Sequence, residues 1–235
     1  MLTRPHRVML AIICAFTASA ALSQTVIGPE SSPGRYNRLR DMSARPLTAV
    51  QPTSPDVFGT AAVGAGVTFY DARFRRVAQA DRNDPAILAI ADGLRGLAPT
   101  EQLAAAQREV LTRVRWTSDL DNMRVADFWS NAGETLQRGT GDSEDIAIVQ
   151  MQVLKAAGYN PRDLYISVGR SKQVGAHIVL IARTPTGFMM LDDRVGTPEP
   201  AVSTRQFVPV LTIGEGKSWI HGRRVGGAAR HASAR

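Results

Sequence analysis

One stretch constrains the fold of this chain more than any other: Gly139-Thr140-Gly141-Asp142-Ser143-Glu144-Asp145 and the apolar run it opens, which extends to about Ala157. Two glycines permit a tight entry. Asp142 and Ser143 are residue types that cap helix N-termini, and two further acids suit the positive end of the helix dipole. Ile146-Ala147-Ile148-Val149-Gln150-Met151-Gln152-Val153-Leu154 then follows, apolar on nearly every side. A helix of that kind has no face to offer water and belongs in the centre of a domain. Gly158 and Asn160-Pro161 end it. The pattern predicts a buried central helix whose first turn carries a hydroxyl on a glycine-lined bend, a place from which folds present nucleophiles.

Segments before this helix carry helical periods, and those after it carry strand periods. Residues 57–70 read as extended, with glycines at 64 and 66, and the chain turns helical over 71–77. Asp84-Pro85 puts Asp at an N-cap and Pro at the first helical position, and Ile87, Leu88, Ile90, Ala91 and Leu94 follow at helical spacing. Thr100 is the expected cap of a third helix, whose stripe of Leu103, Ala106, Val110, Leu111 and Val114 ends at Trp116. Residues 119–127 read as a loop and 131–137 as a short helix. After the central helix the period changes to two. Leu164, Ile166 and Val168 alternate, 176–183 is a buried strand, and 187–192 pairs with it across Thr184-Pro185-Thr186. Residues 207–213 and 218–221 are further strands, and Trp116 and Trp219 are read as packing residues. Helices, a central helix and then an antiparallel sheet make an α+β domain over residues 56–222.

The two ends differ from this body. Residues 1–23 have the pattern of a secretory signal: Arg4 and Arg7, an apolar run from Val8 to about Ala18, and small residues at Ala20, Ala21 and Ser23. The run is too short for a comfortable membrane span, so no span is expected after cleavage, and the domain is expected in the periplasm or secreted, an uncleaved membrane anchor being the alternative. Cys14 lies within it and is the chain's one cysteine, so the mature chain would have neither a disulfide nor a thiol for chemistry. Residues 24–55, rich in Pro, Ser, Gly and Arg without an apolar period, read as a disordered linker, and 223–235 as a basic disordered tail. The ends hold most of the formal charge of +7: without Arg4, Arg7 and the four arginines of the tail, residues 24–222 carry +1. A near-neutral body argues against nucleic acid as a partner, and the basic tail suits contact with an anionic surface.

Few side chains in the body suit acid–base work. His6 lies in the leader, His231 in the tail and His221 near the C-terminal end, which leaves His177 in the middle of an expected core strand. In a hairpin turning near Pro185 a residue near 177 faces one near 192 or 193, so His177 and Asp192 are expected cross-strand neighbours. With the central helix's N-terminus against that sheet, Ser143, His177 and Asp192 assemble as nucleophile, base and orienting carboxylate. Plainer roles stand beside these. Ser143 suits a helix cap, His177 a satisfied core residue, and Asp142, Glu144 and Asp145 a complement to the helix dipole. Trp129 is read as a core or cleft-wall aromatic.

Residues 129–141, Gly141-Asp142-Ser143-Glu144-Asp145, Ala176-His177 and Leu191-Asp192 resemble the bacterial transglutaminase-like cysteine proteinases. That family includes the periplasmic LapG-type proteases that trim biofilm adhesins. The resemblance covers about residues 57–222. It implies a papain/transglutaminase-like α+β core, a protein or peptide substrate or ligand, and Ser143, His177 and Asp192 as the catalytic positions. LapG-type members bind calcium through acids around the nucleophile, which implies Asp142 and Glu144, with Asp145, as calcium ligands; no other cofactor is implied. The family pattern has Cys where this chain has Ser143. A thiol in such a setting is held as a standing thiolate, whereas a serine hydroxyl must lose its proton during attack, with His177 as general base. The expectation is therefore an exported peptidase homologue, catalytically impaired by the replacement and acting as a peptide- or protein-binding domain. The alternative is an active serine-type hydrolase of a periplasmic or surface protein.

Overall fold

The computed structural model of this chain describes residues 55, 57–78, 83–202 and 205–222. The expected leader at 1–23, the linker at 24–55 apart from a buried Pro55, and the tail at 223–235 lie outside the described residues. In chain order the elements are β1 (Ala61–Gly64), α1 (Phe69–Ala78), α2 (Pro85–Ala91), α3 (Pro99–Arg113), β2 (Arg115–Trp116), α4 (Asp119–Met123), α5 (Ala132–Arg138), β3 (Thr140–Gly141) and α6 (Ser143–Ala156). Then come β4 (Leu164–Ser171), β5 (Gly175–Thr184), β6 (Gly187–Leu191), β7 (Glu199–Pro200), β8 (Phe207–Gly214) and β9 (Lys217–Gly222). This is the expected α+β arrangement.

Local chemistry explains most of the boundaries. The Asp84 carboxylate accepts from the amides of Ala86 and Ile87, with Pro85 opening α2. The third helix starts one step earlier than its expected cap. Pro99 occupies its first position, the Glu101 carboxylate accepts from the Ala98 amide at 3.2 Å, and Thr100 falls inside the first turn. A proline pre-set to helical φ outweighs the threonine cap. At α5, Asn131 and Glu134 satisfy each other's amides at 2.9 Å, and Gly139, with φ of 69°, ends the helix. Residues 119–123, expected as loop, form the single turn of α4 because the Ser118 hydroxyl caps the Asp121 amide.

The central helix α6 is buried continuously from Asp145 to Leu154. It lies against β5, with α2, α3 and α5 packed round its other sides. Each fully buried aliphatic side chain contributes about 1.5–3 kcal/mol, so this helix anchors the domain. The main sheet has seven strands in the order β1-β9-β8-β4-β5-β6-β7, every pair antiparallel. Alternation sends Ile178, Leu180 and Ala182 into the helical core and Val179 and Ile181 into a second core with Tyr165, Met190, Phe207 and Trp219. Trp219 packs as expected. Trp116 does not: it is 49% exposed, because β2 is a two-residue strand with β3 as its partner.

That small pairing positions the site. Parallel β2 and β3 set Trp116 beside Gly141, and the Thr117 amide donates to the Gly141 carbonyl at 2.8 Å. The Thr140 hydroxyl reaches the Asn122 side chain at 2.9 Å. Residues 115–123 are thereby fastened to the bend from which α6 starts. Among the described residues no helix is long and apolar enough to cross a membrane.

Candidate active site

Asp142 caps α6 and Ser143 is its first helical residue, so the hydroxyl stands at the positive end of the buried helix. The bend before it needs glycine at 141: a Cβ there would lie 2.7 Å from the Cβ of Asp145. The Ser143 Oγ is 3.0 Å from Nδ1 of His177, near the start of β5. On the other side of the ring, Nε2 is 2.9 Å from Asp192 Oδ1 and 3.3 Å from Asp193 Oδ1. Asp193 Oδ2 also lies 3.4 Å from the Ser143 Oγ. A neutral imidazole whose Nε2 faces two carboxylates carries its proton there and turns the lone pair of Nδ1 toward the hydroxyl.

The ring is confined. His177 is 3% exposed, and the Phe207 ring packs against it in a T-shaped arrangement with centroids 6.2 Å apart. Opposite His177 on β4 stands Gly169, where a Cβ would fall 2.6 Å from the Phe207 ring, so glycine there allows the phenyl group its place. Strand pairing between β5 and β6 runs from Thr184–Gly187 to Leu180–Leu191. His177 therefore lies beyond the last pair, and Asp192 reaches it from the turn after β6 instead of from a directly opposed position. That turn is held by the Arg194 amide donating to Asp192 Oδ1 at 2.8 Å and by Gln107 of α3, which donates to the carbonyls of Asp192, at 3.0 Å, and Val195. Burial opposes ionisation of Asp192, but the bonds from His177 and the Arg194 amide bring its carboxyl below the ordinary range. Burial pushes Asp193 up to about 6, the nearby His177 opposing it.

A second carboxylate group flanks Ser143. Oxygens of Asp119, Asp142 and Glu144 lie within 4.8 Å of one another. Burial first, and then repulsion from Asp119 and Asp145, pushes Asp142 up to about 8; burial and the Asp142 charge raise Glu144 well above its usual range. Asp119 is raised too, mainly by burial, and its Oδ1 accepts no hydrogen bond among the described residues. Asp145 stands apart from this group. It accepts from the Ser130 amide at 2.8 Å and pairs with Arg138 at 2.8 Å, while burial still lifts it to about 6. Trp129 is 2% exposed and packs on Tyr70 inside the helical core, so its ring forms part of that core and not of an open wall.

The sequence profile of the bacterial transglutaminase-like cysteine proteinases matches residues 94–206, a span that runs from before α3 to the edge of β8 and holds Ser143, His177 and the acids around them. The match spans 113 of the chain's 235 residues, and over that span the chain is similar to that family. Its fold agrees with solved structures of LapG. LapG of Legionella pneumophila in a calcium-bound form is 23% identical, over 64% of this chain and 87% of that one, with a TM-score of 0.52. An EGTA-treated form gives 23% identity, 66% and 87% coverage, and the same TM-score. No curated protein matches the chain.

Two members of this candidate site carry no assignment from the sequence. Asp119 sat in a stretch read as loop, and nothing local shows that a parallel pairing will carry it to Asp142. The hairpin places Asp193 near the histidine without giving it a role. The doubled Asp192-Asp193 at a strand end was the available signal.

Proposed function

We propose that this chain is an exported peptidase homologue that takes a peptide or protein segment at the N-terminus of α6, with catalysis impaired by an oxygen nucleophile in a site shaped for sulfur. The observation that carries the reading is the Ser143–His177–Asp192 relay, with Oγ 3.0 Å from Nδ1 and Nε2 2.9 Å from Asp192. In this relay the Ser143 Oγ attacks a carbonyl carbon while its proton passes to His177 Nδ1 and the carbonyl electron pair moves onto oxygen. The proton then goes from Nδ1 to the departing amine, leaving an acyl-serine for water to hydrolyse. The helix dipole that would stabilise a standing thiolate gives a neutral hydroxyl far less, which is the physical ground for impairment. Export rests on the sequence pattern of residues 1–23.

A second reading, an active serine-type hydrolase, is favoured by the hydrogen bond already made between hydroxyl and lone pair. Reaction of the purified chain with a fluorophosphonate probe separates the two. On the first reading the wild type labels slowly or not at all, and Ser143→Cys gains thiol-reagent-sensitive proteolysis. Rapid stoichiometric labelling, lost in Ser143→Ala, would establish the second reading and remove the first. Absence of both labelling and gained proteolysis would remove the relay as a chemical device.

Calcium suits the group of Asp119, Asp142 and Glu144 better than the set implied by the resemblance. Asp145 is spent on Arg138 and the Ser130 amide, whereas Asp119 brings a free buried oxygen. Hard carboxylate oxygens converging on one point are the donor set calcium takes. When bound, the ion supplies positive charge that offsets the mutual repulsion of these acids. The residues themselves then hold the bend before Ser143 and the 115–123 segment together.

A further inference from the structure

We propose that Asp193 is a positioning residue of this site, a carboxylate that spans the Ser143–His177 pair and fixes both the rotation and the tautomer of the imidazole. The inference rests on the relay reading above and adds a fourth member to it.

Its basis is one side chain touching both partners. Asp193 Oδ1 lies 3.3 Å from His177 Nε2, and its Oδ2 lies 3.4 Å from the Ser143 Oγ. The side chain is 2% exposed, so water does not screen either contact, and Oδ1 makes no hydrogen bond among the described residues, which leaves its charge directed at Nε2 across the 3.3 Å contact. Consecutive residues of an extended strand point to opposite faces, so two adjacent aspartates do not ordinarily reach one ring. Here β6 ends at Leu191, and the chain bends at once, with the Arg194 amide on Asp192 Oδ1 and the Val195 amide on the Asp192 carbonyl at 3.1 Å. The bend turns Asp193 inward beside Asp192.

The consequence is geometric. One acceptor at Nε2 fixes where the proton sits but leaves the ring free to pivot about that bond. A second carboxylate, with one oxygen accepting from the hydroxyl and the other holding its charge 3.3 Å from Nε2, opposes that pivot, so Nδ1 stays aimed at Ser143. The groups facing the ring are Ser143 from α6, Asp192 and Asp193 from the turn, and the Phe207 ring from β8; Gly169 of β4 offers no side chain. Arg194 bears on the pair through its charge and its amide.

The test reads the ring and not turnover. In full-length chain labelled with 15N-histidine, long-range 1H–15N correlation reports which nitrogen of His177 is protonated, the His177→Gln variant identifying its signals. At a pH where the ring is neutral, the wild type is expected to show a protonated Nε2 and a bare Nδ1. Asp193→Ala is expected to move both resonances toward the averaged values of a ring exchanging between tautomers, and Asp193→Asn, which keeps one acceptor oxygen, to restore part of the difference. Asp193→Ser carries the same expectation as the alanine variant should that one fold poorly. Resonances unchanged from wild type in a folded Asp193→Ala or Asp193→Ser protein overturn the proposal, even if thermal stability falls, because a purely structural aspartate would alter melting without altering the tautomer. Failure of the wild type to label with fluorophosphonate, alongside the expected change of the ring, would count against hydrolysis and leave Asp193 in its role.

Discussion

Ser143 stands between two clusters of acids that solve the same electrostatic problem differently. On one side Asp192 and Asp193 face an imidazole, and Asp192 is held below the ordinary carboxyl range by its bonds to His177 and to an amide, against the pull of burial. On the other, Asp119, Asp142 and Glu144 face one another, and burial with mutual repulsion drives Asp142 to about 8. Number of acids does not separate the two clusters; what they meet does. A carboxylate given a hydrogen-bonding partner stays ionised when buried, and one given another carboxylate does not. The first cluster meets its counter-groups within the chain, while the second lowers its repulsion by protonation or, on the proposal above, by a cation.

The sharpest way to break this comparison is to vary pH with and without calcium. A carboxyl whose pKa is higher in the folded state than in the unfolded one favours folding while protonated. Its contribution is full below the unfolded value near 3.8 and is lost as pH rises through the folded value. For Asp142 that window runs from about 4 to about 8, with Glu144 moving in the same direction. The loss is on the order of 3–5 kcal/mol for the cluster. Metal-free chain should therefore melt at lower temperature at pH 8 than at pH 5. Calcium at a hundredfold excess over its Kd should restore about 2.7 kcal/mol, or roughly 5–10 °C in Tm at pH 8. In Asp142→Asn/Glu144→Gln the calcium response should vanish in differential scanning calorimetry, and the pH slope should shrink to the part that Asp119, Asp145 and Asp193 contribute, Asp145 and Asp193 between about 4 and about 6. A calcium response that survives this double variant would place the ion elsewhere.

Asp145 sharpens the contrast because it is an acid beside the second cluster with a partner of its own. Asp145→Ala removes the acceptor of the buried Ser130 amide and the counter-charge of Arg138. The expected cost is about 2–3 kcal/mol in urea unfolding, with calcium affinity changed far less than in the Asp142/Glu144 variant. A large loss of calcium binding at full stability would return Asp145 to the ligand set.

The bend that separates the clusters comes next. Gly141→Ala would bring its methyl group to 2.7 Å from the Asp145 Cβ and 3.0 Å from Thr135 Cγ2. Both neighbours sit in packed helices, so the strain is expected to cost about 1–3 kcal/mol and to slow any chemistry at Ser143 more than it alters melting.

Much of this is legible in the sequence. The buried central helix, its acidic cap, the switch from helical to strand period and the approach of His177 to Asp192 all follow from local pattern, because each is set by residues close in sequence or by one hairpin. What escaped was set by distant pairing. Asp119 joins Asp142 through a parallel contact between two-residue strands, too short to leave any periodic trace. Asp145 was grouped with its sequence neighbours Asp142 and Glu144, yet helical geometry turns it toward Arg138 and the Ser130 amide. Trp116 was read as core because it ends an apolar stripe, but its strand leaves it at the surface.

The smallest expected effect tests that distant pairing directly. Thr140 fastens the α4 segment to the bend through one hydroxyl, 2.9 Å from Asn122 Oδ1 and partly buried. Thr140→Val keeps the shape and β-branching of the side chain, and removes the bond. A single neutral hydrogen bond contributes about 1 kcal/mol, so global stability should fall by about that much or less. The parallel backbone bonds from the Arg115 and Thr117 amides remain, so Asp119 should stay near Asp142 but be held less firmly. Calcium affinity, measured by titration calorimetry, is then expected to weaken by up to about fivefold, the equivalent of that 1 kcal/mol, while the tautomer of His177 stays as in the wild type. Equal disturbance of both readouts would mean that the two clusters are one mechanical unit, and the division drawn between them would fail.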